Sequence, residues 1–422
     1  MQYYNVHSHV FTMDNAPRRF LHMYLPDAVA NAIDTMTNTR PGALALAWLL
    51  SKLPGTAGKR YASFLKIGKS CGQLDVFEDL LKQYNDPDIK FVALSMFMEE
   101  CGAGYSTSGF AGQIEELLQV KQQYPDRLLV FLGLDPRWDA KGKKLKDMVA
   151  GYFDTKLRIN ASRSVYPFVG LKLYPSTGFY IFDERLKETL EWAAENEVPV
   201  LSHCNYLGGI YNNDTRHLQS TLNFYDPYAR KMYDQPVYQK ESHFWKKIFG
   251  TNTANNNKIS CSYFLEPASY KSMLHYFKYA FKKELKLCLA HYGGDQHILA
   301  AHGYPINERA LYGVEKKNWC SQIQELMQEF SNLYTDISYA VHNTKVHAPV
   351  FDDLKNNMFT NRLLFGTDFF MTEQEIPEKD DYNKFKSDAL AQPCGSGTAW
   401  DQMAGHNVEQ FLHSKYYPGR VV

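Results

Sequence analysis

The sequence contains no long apolar run. Its longest apolar stretch, residues 43–50, is much shorter than the roughly 20 residues that a membrane-spanning helix needs. Lysine plus arginine and aspartate plus glutamate both number 46, so the formal net charge is zero. This balance provides no general attraction to nucleic acid or to an anionic membrane surface. We therefore expect a protein that spans no membrane and binds no nucleic acid.

Paired cysteine motifs are also missing. The seven cysteines are scattered along the chain and odd in number, and no Cys-x-x-Cys is present. This usage argues against a disulfide framework and against a zinc ribbon. A removed secretion signal is not expected ahead of His7, the first residue to which we assign chemistry below. We therefore expect a cytoplasmic protein with reduced thiols.

Two histidines with one residue between them occur near the start of the sequence. His7 and His9 lie in the segment Asn5-Val-His-Ser-His9. In an extended strand alternate side chains point the same way, so these two imidazoles lie on one face. Such a pair suits a divalent metal ion, although isolated His-x-His pairs also occur by chance. The remaining sequence decides between the two interpretations.

Short apolar runs alternate with longer amphipathic segments along most of the chain. We predict eight strands, at the segment containing His7 and at residues 89–97, 128–134, 168–173, 198–202, 285–290, 333–337 and 363–366. Helices are predicted at residues 113–123 and at residues 184–195, with Asp183 as the N-cap of the second. The pattern is typical of an α/β protein with a (β/α)8 TIM barrel. In this fold the reactive groups project from the carboxyl ends of the strands.

Two segments interrupt this alternation, at about residues 10–88 and 204–265. We predict a single domain of residues 1–422 with long insertions after the first and fifth strands. Loops after barrel strands overhang the active-site mouth, so these insertions are expected to form a lid, a substrate pocket or a subunit contact. The apolar segment at residues 43–50 indicates a homodimer contact.

Polar residues end five of the eight predicted strands, each after an apolar run. The set comprises His7, His9, Lys172, His203, His291 and Asp368. A lone histidine at the end of a buried strand is usually a core residue. Four of them in one barrel, together with an aspartate, indicate a catalytic metal centre instead.

At these positions the chain resembles the amidohydrolase superfamily, specifically the amidohydrolase-2 branch that includes aminocarboxymuconate-semialdehyde decarboxylase-like enzymes. Five motifs carry the resemblance and follow one another in the family's order. They are Asn5-Val-His-Ser-His9, Val169-Gly-Leu-Lys-Leu-Tyr-Pro175, Pro199-Val-Leu-Ser-His203, Leu289-Ala-His-Tyr-Gly-Gly294 and Leu364-Phe-Gly-Thr-Asp368. The chain departs from the family in the length of its two insertions.

The resemblance implies that His7, His9, His203 and Asp368 bind one divalent metal ion, with zinc as the preferred ion. Three nitrogens and a carboxylate suit a borderline cation that keeps one position open for water. Such an ion makes the water more acidic, and Asp368 then accepts its proton. The resemblance further implies that His291 orients the water or stabilises negative charge on a substrate oxygen.

Lys172 is the member of the set with several interpretations. Strand alternation places it on the barrel-facing side together with Gly170, and a bare buried ammonium is costly. Lys172 therefore pairs with a carboxylate, binds an anionic substrate, or is carboxylated and bridges two metals. We favour the first two roles because the resemblance is to the mononuclear branch.

The predicted function is a metal-dependent hydrolase of the amidohydrolase type. Metal-activated water would attack a carbonyl carbon of an amide, lactone or ester in a small substrate, and carboxylates are among the expected substrates. Two alternatives stay open. One is a metal-dependent decarboxylase or hydratase of an unsaturated carboxylic acid, and the other is a catalytically silent barrel that only binds a ligand.

Overall fold

A computed structural model of the chain describes residues 1–18, 72–206, 262–308, 311, 313 and 315–419. Most of the two predicted insertions, residues 19–71 and 207–261, lies outside the described residues. The segment predicted as a dimer contact, residues 43–50, lies there too.

Eight parallel strands form the central sheet, and each strand pairs with the next one along the chain. The strands are β1 (Tyr4–Ser8), β2 (Lys90–Leu94), β3 (Leu128–Leu134), β4 (Gly170–Leu173), β5 (Val200–Ser202), β6 (Leu287–Leu289), β7 (Leu333–Asp336) and β8 (Leu363–Leu364). The two end strands also meet, because the backbone N–H of Val6 donates to the carbonyl of Phe365 at 3.0 Å. Ser8 and Phe369 form a further parallel bridge at this junction. The sheet is therefore a barrel, which confirms the predicted TIM-barrel fold.

The observed strands are mostly shorter than the predicted ones. Only the third strand, Leu128–Leu134, has the predicted bounds, whereas the run at residues 89–97 contains a strand at Lys90–Leu94 alone. Met96, Phe97 and Met98 continue that apolar run and are buried without belonging to the strand. Apolar patterning reports burial, so it extends past the last residue that pairs in the sheet.

Helices surround the barrel on its outside and at one end. Those of the described residues are α1 (Gln73–Gln83), α2 (Gly109–Gln123), α3 (Leu145–Asp154), α4 (Lys187–Glu195), α5 (Tyr270–His275), α6 (Asp295–Ala301), α7 (Trp319–Glu329), α8 (His347–Lys355), α9 (Glu378–Leu390) and α10 (Asn407–Leu412). A 3-10 turn at Glu184–Leu186 precedes α4, and the Asp183 side chain accepts a hydrogen bond from the backbone N–H of Arg185. Asp183 is thus the predicted cap, but of the 3-10 turn that leads into the helix. Among the described residues no helix is long and apolar enough to cross a membrane.

Alternate residues of the strands serve two separate cores. Phe91, Val130 and Leu171 belong to the large core between the sheet and the helices, whereas Val92 and Leu129 belong to a smaller core inside the barrel. The five described cysteines are free and buried. They are Cys101, Cys204, Cys288, Cys320 and Cys394.

Candidate metal centre

The junction between β1 and the segment after β8 places three predicted site residues side by side. The backbone N–H of Asp368 donates to the carbonyl of His7 at 2.9 Å, and the N–H of His9 donates to the carbonyl of Phe369 at 2.5 Å. Asp368 adopts a left-handed backbone conformation, with φ at 66°. Its Oδ1 lies 3.4 Å from Nε2 of His7 and 3.2 Å from Nε2 of His9. One carboxylate oxygen therefore faces both imidazoles of the His-x-His pair.

His291 and His203 join this group from the neighbouring strands β6 and β5. The ligand atoms of His7, His291 and Asp368 all lie within 4.8 Å of one another. Nε2 of His291 lies 2.8 Å from Nδ1 of His203. The structure thus brings all five predicted histidine and aspartate residues to one end of the barrel. The closest cluster contains His291, which is predicted to orient water. His203, which is predicted to be a ligand, contacts this cluster through His291.

Lys172 lies on β4 inside the barrel and is almost completely buried. Its Nζ has no hydrogen-bond partner among the described residues. Burial lowers the pKa of Lys172 to about 8, although the charges of Asp336 and Asp368 oppose this effect. Lys172 therefore interacts with these two carboxylates electrostatically, without a direct hydrogen bond.

The protonation states in this cluster are those that a metal ion requires. Burial lowers the pKa of His7 to about 3 and also lowers the pKa of His291, so both imidazoles are neutral near pH 7. Burial acts to raise the pKa of Asp368, but His7 and His9 outweigh it and the pKa is lowered. Neutral imidazoles and an ionised carboxylate are the ligand forms that bind divalent metals.

Nε2 of His7 is buried and has no hydrogen-bond partner among the described residues. The opposite nitrogen of each ring in the His-x-His pair is held in place. Nδ1 of His7 lies 3.1 Å from the carboxylate of Asp336, and Nδ1 of His9 lies 3.3 Å from the carbonyl of Leu94. Ring nitrogens held in this way are typical of histidines that bind metal through the other nitrogen. The residues present therefore fit a divalent metal ion.

Asp336 is the site residue that sequence analysis missed. It ends β7, is fully buried, and contacts His7 directly. The sequence predicts the seventh strand at residues 333–337 but assigns no role to its polar members. The signal was an aspartate at the end of a buried run, the same feature that identified Asp368.

An apolar surface adjoins the histidines at the barrel mouth. Phe11 lies beside His9, with 5.7 Å between ring centroids, and Tyr174 lies beside His203 at 5.1 Å. Both rings pack against the buried Met96 and Met98 cluster that follows β2. The candidate metal centre is thus flanked by aromatic and thioether groups that can contact the apolar part of a ligand.

A family model described as amidohydrolase matches residues 102–399. The chain belongs to the amidohydrolase family. This confirms the resemblance to the amidohydrolase-2 branch, whose members are metal-dependent enzymes. The matched region contains Lys172, His203, His291 and Asp368, and the His7 and His9 pair precedes it.

Solved structures of similar fold include other TIM-barrel enzymes. The 5-carboxyvanillate decarboxylase of Novosphingobium aromaticivorans, solved with manganese and 4-hydroxy-3-methoxy-5-nitrobenzoic acid, is 14% identical, with 97% of this chain and 96% of that chain covered and a TM-score of 0.51. A mutant of that decarboxylase, also with manganese, is 14% identical, with 97% of each chain covered and a TM-score of 0.50. The 4-oxalomesaconate hydratase of Rhodopseudomonas palustris is 13% identical, with 97% and 95% covered and a TM-score of 0.45. At these identities the likeness to the decarboxylase supports the fold alone. No curated protein sequence matches the chain.

Proposed function

We propose that this amidohydrolase is a metal-dependent hydrolase that cleaves an amide, lactone or ester bond in a small substrate. One observation carries the proposal. The buried carboxylate of Asp368 faces Nε2 of both His7 and His9, at 3.4 and 3.2 Å, at the carboxyl end of the barrel. This arrangement combines ligands for a metal ion with an ionised group that can accept a proton from water.

We propose His7, His9, His203 and Asp368 as the residues that hold the ion, and zinc as the ion. Three imidazole nitrogens with one carboxylate form a donor set that zinc accepts well. When bound, the ion supplies a Lewis acid that polarises a carbonyl group and makes water more acidic.

The side chains around this ion have separate tasks in the proposal. The carboxylate of Asp368 accepts the proton of the attacking water and returns it to the leaving group. His291, neutral and buried, orients the water or stabilises the charge that develops on the carbonyl oxygen. The ammonium of Lys172 offsets part of the negative charge of Asp336 and Asp368. Phe11 and Tyr174 contact the apolar part of the substrate and exclude water.

A second candidate function is the decarboxylation or hydration of an unsaturated carboxylic acid. The decarboxylase of similar fold binds manganese and a nitrobenzoic acid, and Phe11 and Tyr174 place aromatic rings beside the histidines of this chain. A flat carboxylic acid would pack against such rings. In this case the bound metal is manganese or a similar divalent ion.

Product analysis separates the two functions. The protein is stripped with a chelator, reloaded with zinc or manganese, and assayed against amides, lactones, esters and unsaturated carboxylic acids in oxygen-labelled water. For the hydrolase we expect turnover that needs the metal and incorporates one labelled oxygen, without release of carbon dioxide. Release of carbon dioxide with no label in the organic product supports decarboxylation, and label added across a carbon–carbon double bond without cleavage of the substrate supports hydration.

Substitution tests the role of Asp368. In the Asp368→Asn variant we expect kcat to fall by about 100-fold or more, because the proton acceptor and one metal ligand are lost. Asp352→Asn, at an exposed aspartate paired with Lys355 on α8, is the control and should leave kcat unchanged. Wild-type protein that binds no transition metal, together with a His203→Ala variant of unchanged metal content and turnover, would instead support the ligand-binding barrel.

A further inference from the structure

Asp336 and Ser338, at the carboxyl end of β7, connect the imidazoles of His7 and His291. We propose that Asp336 is a positioning residue which, together with Ser338, holds both imidazoles as the tautomer with the proton on Nδ1. This tautomer leaves the lone pair on Nε2, the nitrogen that would face the metal ion. The functional role of these tautomers rests on the proposed metal site, whereas the tautomers themselves follow from hydrogen bonds.

The donors around Asp336 use both of its oxygens. Oδ1 accepts from the backbone N–H of His291 and from that of Ser338, each at 3.0 Å. The Ser338 hydroxyl also donates to Oδ1, and Oδ2 lies 3.1 Å from Nδ1 of His7. A carboxylate has only acceptor sites, and Asp336 is fully buried, so water does not replace these donors. Nδ1 of His7 must therefore carry a proton.

Ser338 fixes the second imidazole. Its single hydroxyl proton goes to Asp336, so its oxygen acts as an acceptor towards the rings. That oxygen lies 3.0 Å from Nδ1 of His7 and 2.9 Å from Nδ1 of His291. The carbonyl of Ser338, which can only accept, lies 3.0 Å from Nδ1 of His291 as well. Nδ1 of His291 must therefore also carry a proton.

The same assignment extends to a third histidine. Because Nδ1 of His291 holds the proton, its Nε2 is an acceptor, and the atom 2.8 Å away is Nδ1 of His203. His203 must then donate from Nδ1, and its neutral form keeps the lone pair on Nε2, as a metal ligand requires. His9 is independent of this chain, because its Nδ1 faces the carbonyl of Leu94. Asp336 and Ser338 together thus set the tautomers of His7, His291 and His203 but leave His9 unaffected.

The Asp336→Asn variant tests this role. The two backbone N–H groups keep the amide oxygen at the Oδ1 position, so the amide NH2 faces Nδ1 of His7. His7 must then move its proton to Nε2, where it obstructs the ion. We expect the affinity for Zn²⁺, added alone, to fall about 10- to 100-fold. Asp388→Asn is the matched control, because Asp388 holds Nδ1 of His347 at 2.7 Å elsewhere in the fold and should not affect Zn²⁺ affinity.

The second readout is NMR of the imidazole nitrogens in histidine-labelled, metal-free protein. In the wild type we expect His7, His203 and His291 to carry the proton on Nδ1. In the Asp336→Asn variant His7 should switch to Nε2–H while His9 keeps its tautomer. A wild-type His7 protonated on Nε2, or an unchanged His7 in a folded Asp336→Asn variant, would overturn the proposal.

Two further measurements keep the proposal testable if Asp336→Asn does not fold. Ser338→Ala leaves one acceptor facing Nδ1 of His7 and one facing Nδ1 of His291. Zn²⁺ affinity should therefore fall less than about 10-fold and the tautomers should persist. A tautomer switch in that variant contradicts the assignment. If the wild type binds neither Zn²⁺ nor Mn²⁺, the proposed function fails, whereas the tautomers are still decided by the metal-free spectra.

Discussion

At the scale of single residues, two buried lysines show that a shifted pKa does not by itself mark a functional site. Burial lowers the pKa of Lys121 to about 7 and that of Lys172 to about 8. The Lys121 ammonium donates to the carbonyl of Pro167 at 3.0 Å and lies on α2, away from the strand ends. Lys172 has no such bond among the described residues and lies near two carboxylates. Position at a strand end, together with the shift, is what indicates function.

Glu378 gives a prediction about stability and pH. Burial raises its pKa from the usual 4.5 to about 7 in the folded protein, although hydrogen bonds from Tyr84 and Thr367 partly oppose this. Between these two pH values the folded state holds more protons than the unfolded state, so stability falls as pH rises, by up to about 1.4 kcal/mol per pH unit. In Glu378→Gln this part of the slope should vanish, and the variant should gain stability relative to the wild type above pH 7.

Urea unfolding at several pH values between 4 and 9 measures this slope. Asp381 lies close to Glu378, and burial raises its pKa to about 8. Glu378→Gln should therefore keep part of the pH dependence, and adding Asp381→Asn should remove more of it. Exposed Asp352→Asn serves as the control and should follow the wild type. Parallel curves for the wild type and Glu378→Gln would contradict the prediction.

At the scale of secondary-structure elements, one buried amide adds four hydrogen bonds to the junction of β1 with the segment after β8. Oδ1 of Asn5 accepts from the backbone N–H groups of His7 and Thr367, each at 3.2 Å. Its Nδ2 donates to the hydroxyls of Thr367 at 2.8 Å and Tyr84 at 2.9 Å. Asn5 thus joins His7, the first residue of the His-x-His pair, to Thr367, the residue before Asp368. We therefore expect the positions of His7 and Asp368 in the candidate metal centre to depend partly on this link.

Removing the amide should loosen the junction. In Asn5→Ala four buried partners lose a hydrogen bond, so we expect the free energy of unfolding to fall by about 2–4 kcal/mol. Zn²⁺ affinity should fall as well, because only the backbone hydrogen bonds of the junction then hold His7 and Asp368 in place. Asn361→Ala removes an exposed asparagine that accepts one surface hydrogen bond and should change neither quantity. A loss of stability with unchanged Zn²⁺ affinity would show that the junction does not position the ligands.

These elements also show what the sequence could and could not predict. Alternating apolar runs predicted all eight strands, and polar residues at their ends predicted His7, His9, His203, His291 and Asp368 as one group. Asp336 carries the same sequence signal as Asp368, an aspartate at the end of a buried run. Its role, however, follows from contacts with His7 and with the backbone of His291, and no local pattern indicates which residues these distant strands bring together.

At the scale of the whole molecule, the two ends of the barrel have different tasks. The carboxyl end carries the histidines and carboxylates. The other end is filled by α10, where Val408, Phe411 and Leu412 belong to the core inside the barrel. Asn407 fixes this helix, because its Nδ2 donates to the carbonyls of Thr360 and Leu363, each at 2.8 Å. The inner core against α10 and the candidate metal centre are therefore located at opposite ends, as the TIM-barrel fold allows.

This separation predicts opposite results for two phenylalanines. Phe411 is fully buried and lies 5.1 Å from the ring of Tyr334 and 6.4 Å from that of Phe131. Phe411→Ala should therefore lower the free energy of unfolding by about 3–5 kcal/mol and leave Zn²⁺ affinity and turnover per folded molecule unchanged. Phe11→Ala, beside His9 and only partly buried, should cost less stability but reduce substrate binding. Urea unfolding and kinetics on the folded fraction measure both effects.

A larger loss of turnover in Phe411→Ala than in Phe11→Ala would contradict this prediction. It would mean that a packing change in the inner core alters the candidate metal centre, so that the two ends are not independent.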